Sequence, residues 1–222
     1  DTSPVVQLRK KPVRNRSAVL ELAVLGLLHT ARMHGYQLRK RLNEMLGMLR
    51  PFSYGSLYPC LKALAARGLI EASEDPEDPS GQGSLAGSRR GRIVYGLTKA
   101  GRSHLESLLG QAGPASWEDE NFDVRFALFA QTDAVTRLRI LEGRRARMAE
   151  RLERARTAVR RGPGADQYAQ ELQRHAIDQV EREVRWLEEL IDWERGTPRE
   201  NGHLPIRGWA AGPETTSNKE NL

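Results

Sequence analysis

Four side chains between positions 53 and 70 have the chemistry and spacing to touch a nucleic acid. Tyr54, Ser56, Tyr58 and Lys62 supply hydroxyls and one ammonium, while Leu57, Leu61 and Leu64 recur at helical spacing and mark the opposite side as core-facing. A hydroxyl can bond a base edge or a phosphate, and a lysine neutralises a phosphate, so this face suits the major groove. The same pattern also fits the surface helix of any small domain. The exit is distinctive: Gly68 after Arg67 supplies the left-handed position that ends helices, and Leu69, Ile70 and Glu71 open a strand. Pro59 constrains the entry. A helix beginning near Gly55 or Ser56, with Ser56 as cap, places the proline among the first residues, whose amides lack intrahelical partners.

Charge points to the same half of the chain. Residues 1 to 102 carry 17 basic and 8 acidic side chains, whereas the remaining 120 carry 18 and 21, so the positive excess of this 222-residue protein lies entirely in its first half. A polyanionic partner on that half accounts for the asymmetry, which solubility alone does not. Cys60 is the only cysteine. It excludes an intramolecular disulfide and a thiolate metal site, and reads as a small packing residue. His29, His34, His104, His175 and His203 lack metal-ligand spacing, and Glu188 and Glu189 diverge as helix neighbours. No nucleophile motif or nucleotide-binding glycine loop is present, so an enzyme is not expected and neither a cofactor nor a metal is called for. The apolar run from Val19 to Leu28 is too short to span a bilayer, which gives an expectation of a soluble, cytoplasmic chain.

The elements around the tyrosine segment can be placed in order. Residues 1 to 16 form a basic arm expected to be disordered, with Arg9, Lys10, Lys11, Arg14 and Arg16. Ser17 can cap the next helix, whose VLELAVLGLL run is apolar nearly all round and should be buried. Gly35 opens a second helix with Leu38, Leu42, Met45 and Leu46 on one face and Arg39, Lys40 and Arg41 near the other; Tyr36 and Gln37 at its start are placed to touch a phosphate backbone. A linker over 47 to 52 leads to the tyrosine helix. Residues 69 to 73 and 92 to 97 read as two wing strands. The long loop between them ends in Arg89, Arg90 and Arg92, which could reach phosphates or the minor groove. Thr98 caps a fourth helix ended by Gly110.

These segments resemble one family in order and spacing. HGYQL at 34 to 38, YGSLYPCLKALAARGLI at 54 to 70 and VYGLTKAGRSHL at 94 to 105 are similar to the PadR family of bacterial transcriptional regulators. FDVRFALFA at 122 to 130 and RWLEELIDW at 185 to 193 resemble that family's C-terminal dimerisation region. The resemblance implies a mainly α fold with a small β-wing: a winged helix-turn-helix domain over 17 to 110, a hinge over 111 to 120, and antiparallel long helices over 121 to 195 that dimerise. A tail from 196 to 222 should be disordered.

The second half fits that expectation by pattern. Leu138, Leu141, Met148 and Leu152 belong to one heptad seam, and Val180, Val184, Leu187 and Ile191 to another, with the turn at 158 to 166 between them. Residues 143 to 161 hold eight arginines against two glutamates, and 171 to 195 hold eight acidic residues against four arginines, so antiparallel pairing would neutralise both. Trp117, Phe122, Phe126 and Phe129 cluster near the expected junction, and Trp186 lies on the last helix. Aromatics so spaced serve a core before they line a pocket, yet the resemblance implies a small-molecule effector somewhere near them. The expected function is a ligand-responsive repressor that binds a palindromic double-stranded operator as a homodimer. Two other classes remain open: a sequence-nonspecific nucleic-acid or architectural protein, and a coiled-coil adaptor for other proteins.

Overall fold

A helix with no polar face has to be surrounded, and that requirement organises the first part of the chain. In the computed structural model, which describes residues 14–46, 53–74, 93–161 and 166–196, α1 runs over Arg14–Thr30. Val19, Leu20, Leu22 to Leu25 and Leu28 are all buried. Around it pack α2 (Gly35–Leu46), α3 (Tyr54–Ala66), α4 (Lys99–Leu109) and α5 (Asp119–Ala127). The first three contribute apolar stripes at three-four spacing: Leu38, Leu42 and Leu46 from α2, Leu57, Leu61 and Leu64 from α3, and Leu105 and Leu109 from α4. Ser17 does not cap α1. The helix starts three residues earlier, because Arg14, Asn15 and Arg16 contain nothing that breaks it.

Three short strands complete this part. Ile70–Glu74 (β2) and Ile93–Leu97 (β3) pair antiparallel, with Ile70 opposite Leu97 and Ala72 opposite Tyr95. Met33–His34 (β1) pairs on the other edge of β3, Met33 opposite Tyr95. Two residues give too short a period-two signal for β1 to be legible in the sequence. Its turn is held on the sheet by Arg32, whose guanidinium donates to Glu71 at 2.8 Å and to Ser73 at 3.0 Å.

The joint between α3, the wing and α4 is closely built. Gly68 has φ 69°, in the left-handed region, and its amide and that of Leu69 bond back to Ala65 and Leu64 at 2.9 and 3.0 Å, closing α3 as expected. Thr98 caps α4: its Oγ1 accepts from the Gly101 amide at 3.0 Å and donates to the Gly68 carbonyl at 2.8 Å. At Gly101 a Cβ would fall 2.0 Å from the Leu69 carbonyl oxygen, so only glycine lets α4 approach the turn this closely. Gly110 follows α4 at φ −67°, so its conformation asks nothing special of glycine.

Packing divides the chain into residues 1–147 and 148–222. Residues 111–120, expected to be a hinge, belong to the first unit and are well tied. Pro114–Trp117 form a 3-10 turn, Ser116 donates to the Gln111 carbonyl at 2.7 Å, and Asn121 donates to that of Ala115 at 2.7 Å. α5 joins the same unit through Phe122, Val124 and the following Leu128, all buried, so the first unit reaches well beyond residue 110. α6 (Ala134–Arg161) crosses the boundary, and α7 (Gln167–Gly196) lies in the second unit. There Met148, Leu152, Val180, Leu187, Leu190 and Ile191 are buried, and Arg156 links α6 to Glu181 of α7 at 2.7 Å. The turn expected at 158–166 starts later, since residues 158–161 still belong to α6; its residues 162–165, together with 1–13 of the basic arm and the tail over 197–222, lie outside the described residues. Among those described, no helix is long and apolar enough to cross a membrane.

Candidate nucleic-acid interface

α3 begins at Tyr54, with Ser53 at its cap in extended conformation. The entry is therefore one or two residues earlier than the proline rule suggests, and Pro59 sits inside the helix. The cost is the missing amide that would have bonded to the Gly55 carbonyl. Ser56 is not the cap; its hydroxyl donates back to the Ser53 carbonyl at 3.0 Å and helps tie the first turn.

Three of the four predicted side chains on α3 share the outer face. Tyr54 is 43% exposed, and Ser56 and Lys62 are exposed as well. Tyr58 is not with them. It is half-buried and packs against the core, with its hydroxyl 3.1 Å from the point where a Cβ of Gly35 would stand. The reason is geometric: Tyr58 adjoins Leu57 and precedes Leu61 by three, so it lies at the edge of the apolar stripe, where its long ring reaches a glycine that leaves room. Tyr95 on β3 is close to it. Burial, with the Tyr58 phenol adding to it, raises the pKa of the Tyr95 phenol.

α2 presents the neighbouring face. Tyr36 is 53% exposed and stacks on His34 with ring centroids 5.5 Å apart. Gln37 is occupied structurally, since its Oε1 accepts the His34 amide at 2.9 Å and so finishes the start of α2. Lys40 is largely in solvent, with Glu44 one turn away at 3.8 Å, a contact too exposed to hold it. Arg39 behaves differently. Its guanidinium lies over the Tyr54 ring, 4.1 Å from the centroid, and Tyr54 stacks in turn on Tyr58 at 5.8 Å. Tyr36, Arg39, Lys40, Asn43, Glu44 and Tyr54 line one open cleft of about 470 Å³ between the two helices. Two cations, two phenols and an amide against one carboxylate give it a positive, hydrogen-bonding character. The structure thus brings Tyr36, Arg39, Lys40 and Tyr54 together, with Ser56 and Lys62 further along the same outer face of α3. Arg89, Arg90 and Arg92 of the wing tip lie outside the described residues.

A polar cluster behind α3 was not apparent from spacing. Arg67 at the end of α3 donates to Glu21 of α1 at 2.7 Å, and His104 of α4 contacts the other Glu21 oxygen at 2.8 Å. Burial acts to raise the Glu21 pKa, but the hydrogen bonds from Arg67 and His104 prevail and hold this carboxyl below the ordinary glutamate value. The residues are 46 and 83 positions apart from Glu21, so no local pattern announces them. Cys60, nearby, is half-buried, and burial with the Glu21 charge pushes its thiol up to about 11. That is the opposite of a reactive thiol. Buried Arg125 places its guanidinium 3.5 Å from the carbonyl of Leu109, the last residue of α4, where a cation complements the helix dipole.

The aromatic residues form a packed cluster in the first unit. Phe122 is buried, Phe122 and Phe126 stack at 5.8 Å, and Phe126 meets Phe129 at 5.1 Å in a tilted arrangement. Arg144, itself buried, covers Phe122 at 5.0 Å and donates to the Trp117 carbonyl at 3.0 Å and to Asp119 at 2.5 Å. Trp117 is half-buried, against Gly143. Trp186 is on α7 in the second unit, 39% exposed. The heptad residues are covered within one chain: Leu141, Met148 and Leu187 are at most 1% exposed, Leu152, Val180 and Ile191 are buried, and Leu138 and Val184 are half-buried. These positions are therefore covered in the single chain. The large apolar or aromatic side chains that remain exposed on α7 are Tyr168, Leu172 and Trp186, at 86, 69 and 39%. Among the described residues no group of three or more His, Cys, Asp or Glu could hold a metal ion.

Comparison with known proteins assigns the first part of the chain. The transcriptional regulator PadR-like family matches residues 24–107, a span that takes in α2, α3, the strands and most of α4. It includes the segments at 34 to 38, 54 to 70 and 94 to 105 but stops short of 122 to 130 and 185 to 193. A curated relative, the negative transcriptional regulator PadR of Bacillus subtilis (strain 168), is 29% identical over 104 residues, which are 46% of this chain and 52% of the relative. The chain thus matches about half the length of that relative. Among solved structures, Bacillus subtilis PadR in complex with operator DNA aligns at 21% identity over 79% of this chain and 99% of that chain, with a TM-score of 0.36. The same protein in complex with p-coumaric acid aligns at 20% identity over 80% and 99%, with a TM-score of 0.35. It is the sequence match, coinciding with the helices and strands described above, that makes residues 24–107 of this chain similar to the transcriptional regulator PadR-like family.

Proposed function

We propose that this chain regulates transcription by binding DNA in a sequence-specific way, with α3 as its reading helix. One observation carries the reading: α2 and α3 present a joint outer face bearing Tyr36, Arg39, Lys40, Tyr54, Ser56 and Lys62 next to a short sheet, inside the span that matches a family of regulators. Tyr54 and Ser56 touch base edges in the groove, Lys62 neutralises a phosphate at its rim, Tyr36 and Lys40 hold phosphates, and Arg89, Arg90 and Arg92 extend the contact from the wing. Tyr58 supports the surface from behind. The effect on transcription is repression, as in the Bacillus subtilis relative, a negative regulator.

A second copy of the chain would present the same helix a second time. A twofold dimer then requires a palindromic operator whose half-site centres lie roughly 34 Å or a multiple apart. Because the heptad residues are already covered, the subunit contact uses what stays exposed on α7, Tyr168, Leu172 and Trp186. A small-molecule effector would bind near Trp117, Phe122, Phe126 and Phe129 and release DNA by favouring a conformation whose half-site spacing is wrong. Phenolic acids, drug-like aromatics and nucleotides make the first panel to test by tryptophan fluorescence.

The DNA assignment is tested by selecting a preferred site from random duplexes and titrating it across a salt series. Lys62→Ala should weaken binding and reduce the slope of log affinity against log salt by about one, the loss of one phosphate contact. An unchanged slope takes Lys62 out of the interface, and a failure to enrich any sequence removes specific reading altogether. The rival architectural role predicts that last result, with random DNA bound as tightly as any selected site.

A further inference from the structure

Arg39 occupies an unusual place for a cation expected to sit on phosphate. Its Nε is shielded from solvent and, among the described residues, has no hydrogen-bond partner. Withdrawing a charged N–H from water without replacing its bond is unfavourable, so something else holds the side chain there. The Tyr54 ring does: the guanidinium carbon stands 4.1 Å above its centroid, close enough for a cation–π contact. Tyr54 stacks on Tyr58 at 5.8 Å and 20° between planes, and Tyr58 seats against Gly35. The result is a column that leaves α2 at Arg39, crosses both tyrosines of α3 and returns to α2 one turn earlier. Each layer limits the rotation of the next.

We propose that Arg39 is a positioning residue that aims Tyr54, and so sets sequence preference, instead of neutralising a phosphate. The inference rests on the DNA-reading role proposed above. Tyr54 is the first residue of α3 and 43% exposed, so its hydroxyl is free to meet a base edge while one face of its ring is occupied. Which edge it meets depends on the ring's tilt, and that tilt is limited by contact with a guanidinium and with a second phenol. Lys40, the next residue, stands in solvent and is the better phosphate partner. Lysine cannot replace arginine in the column, because a point ammonium on a flexible stem lacks the planar face that lies flat on a ring.

The test compares Arg39→Lys, which keeps the charge, with Arg39→Gln, which removes it. Each is titrated in the full chain against the selected duplex and a random duplex over several salt concentrations, with circular dichroism confirming the parent fold. Arg39→Lys is expected to lower affinity for the selected duplex roughly tenfold while changing random-duplex affinity less than about twofold, the size of one lost base-reading contact. The salt slope stays at the parent value for both variants. Combining Arg39→Lys with Tyr54→Leu adds nothing to Tyr54→Leu alone, since the arginine acts through that ring. If Arg39→Lys keeps the preference and Arg39→Gln lowers the slope by about one on both duplexes, Arg39 is a phosphate clamp and the inference is overturned. A parent protein with no preference between the duplexes overturns the DNA-reading role first, and the inference falls with it.

Discussion

The two units hold their helices by different means. In the first, the decisive contacts are close approaches and side chains bonded to backbone: Gly101 against the Leu69 carbonyl, Thr98 between α4 and the end of α3, Gln37 on the His34 amide. In the second, a periodic apolar seam with a half-buried ion pair beside it suffices, Met148, Leu152, Val180 and Leu187 with Arg156 and Glu181. The first kind of joint tolerates little change at a few atoms. The second spreads its stability over many equivalent side chains, and its surface charges set partner choice more than strength.

That contrast can be sharpened by substitution, and the largest effect is expected in the seam's centre. Leu187→Ala, at a fully buried position, should cost about 3 kcal/mol and lower the melting temperature in calorimetry or circular dichroism, because the cavity adds to the lost transfer energy. Gly101→Ala should follow, at about 2 kcal/mol, since its Cβ meets backbone that has to move. Gly113→Ala is the control: nothing lies within 4 Å of its Cβ, so its melting temperature should stay at the parent value. If Gly101→Ala melts like Gly113→Ala, the close joint is not what holds α4.

Charge gives smaller effects of opposite kinds. Glu21 is held below its ordinary value of 4.5 in the folded chain, so its contribution to stability is fully present above that pH and is lost as pH falls through the lower folded value. Chemical denaturation of Glu21→Gln should therefore show a shallower loss of stability below about pH 4.5 than the parent; parallel curves would contradict the Arg67 and His104 contacts. Arg156→Ala, by contrast, removes a partly exposed pair that solvent still screens and should lower the melting temperature by little or nothing. Cys60 completes the series. A thiol raised to about 11 from 9.0 holds about a hundredfold less thiolate at pH 8, so alkylation should be slower than for a free thiol by a similar factor, and rapid labelling would show that α3 opens.

What the sequence made legible follows the same division. Helical spacing located α2, α3 and α4, the Gly68 stop and the Thr98 cap, because each is a local rule with a local residue. Heptads located Leu141, Met148, Leu152, Val180, Leu187 and Ile191 but missed buried Ile140 and Leu190, and they did not show what is buried against what, since periodicity is silent on whether a seam closes one chain or two. Long-range contacts were invisible: Glu21 with Arg67 and His104, Arg39 over Tyr54, and the two-residue β1. Tyr58 was misplaced because a helical wheel treats an edge position as outside and ignores the reach of its ring. Pro59 was read as holding the start of α3 to Gly55 or Ser56, whereas the helix begins at Tyr54 and carries the proline inside it, and the expected hinge proved to be a hydrogen-bonded part of the first unit.

The central claim is that the outer face of α3 meets DNA. Backbone and side-chain NMR shifts recorded as the selected duplex is titrated into the full chain test it most directly. The account predicts the largest changes at Tyr54, Ser56 and Lys62, with Lys40 next and the arginine-rich stretch of α6 little changed. Changes confined to the arginines between 144 and 160, with α3 unmoved, would contradict it.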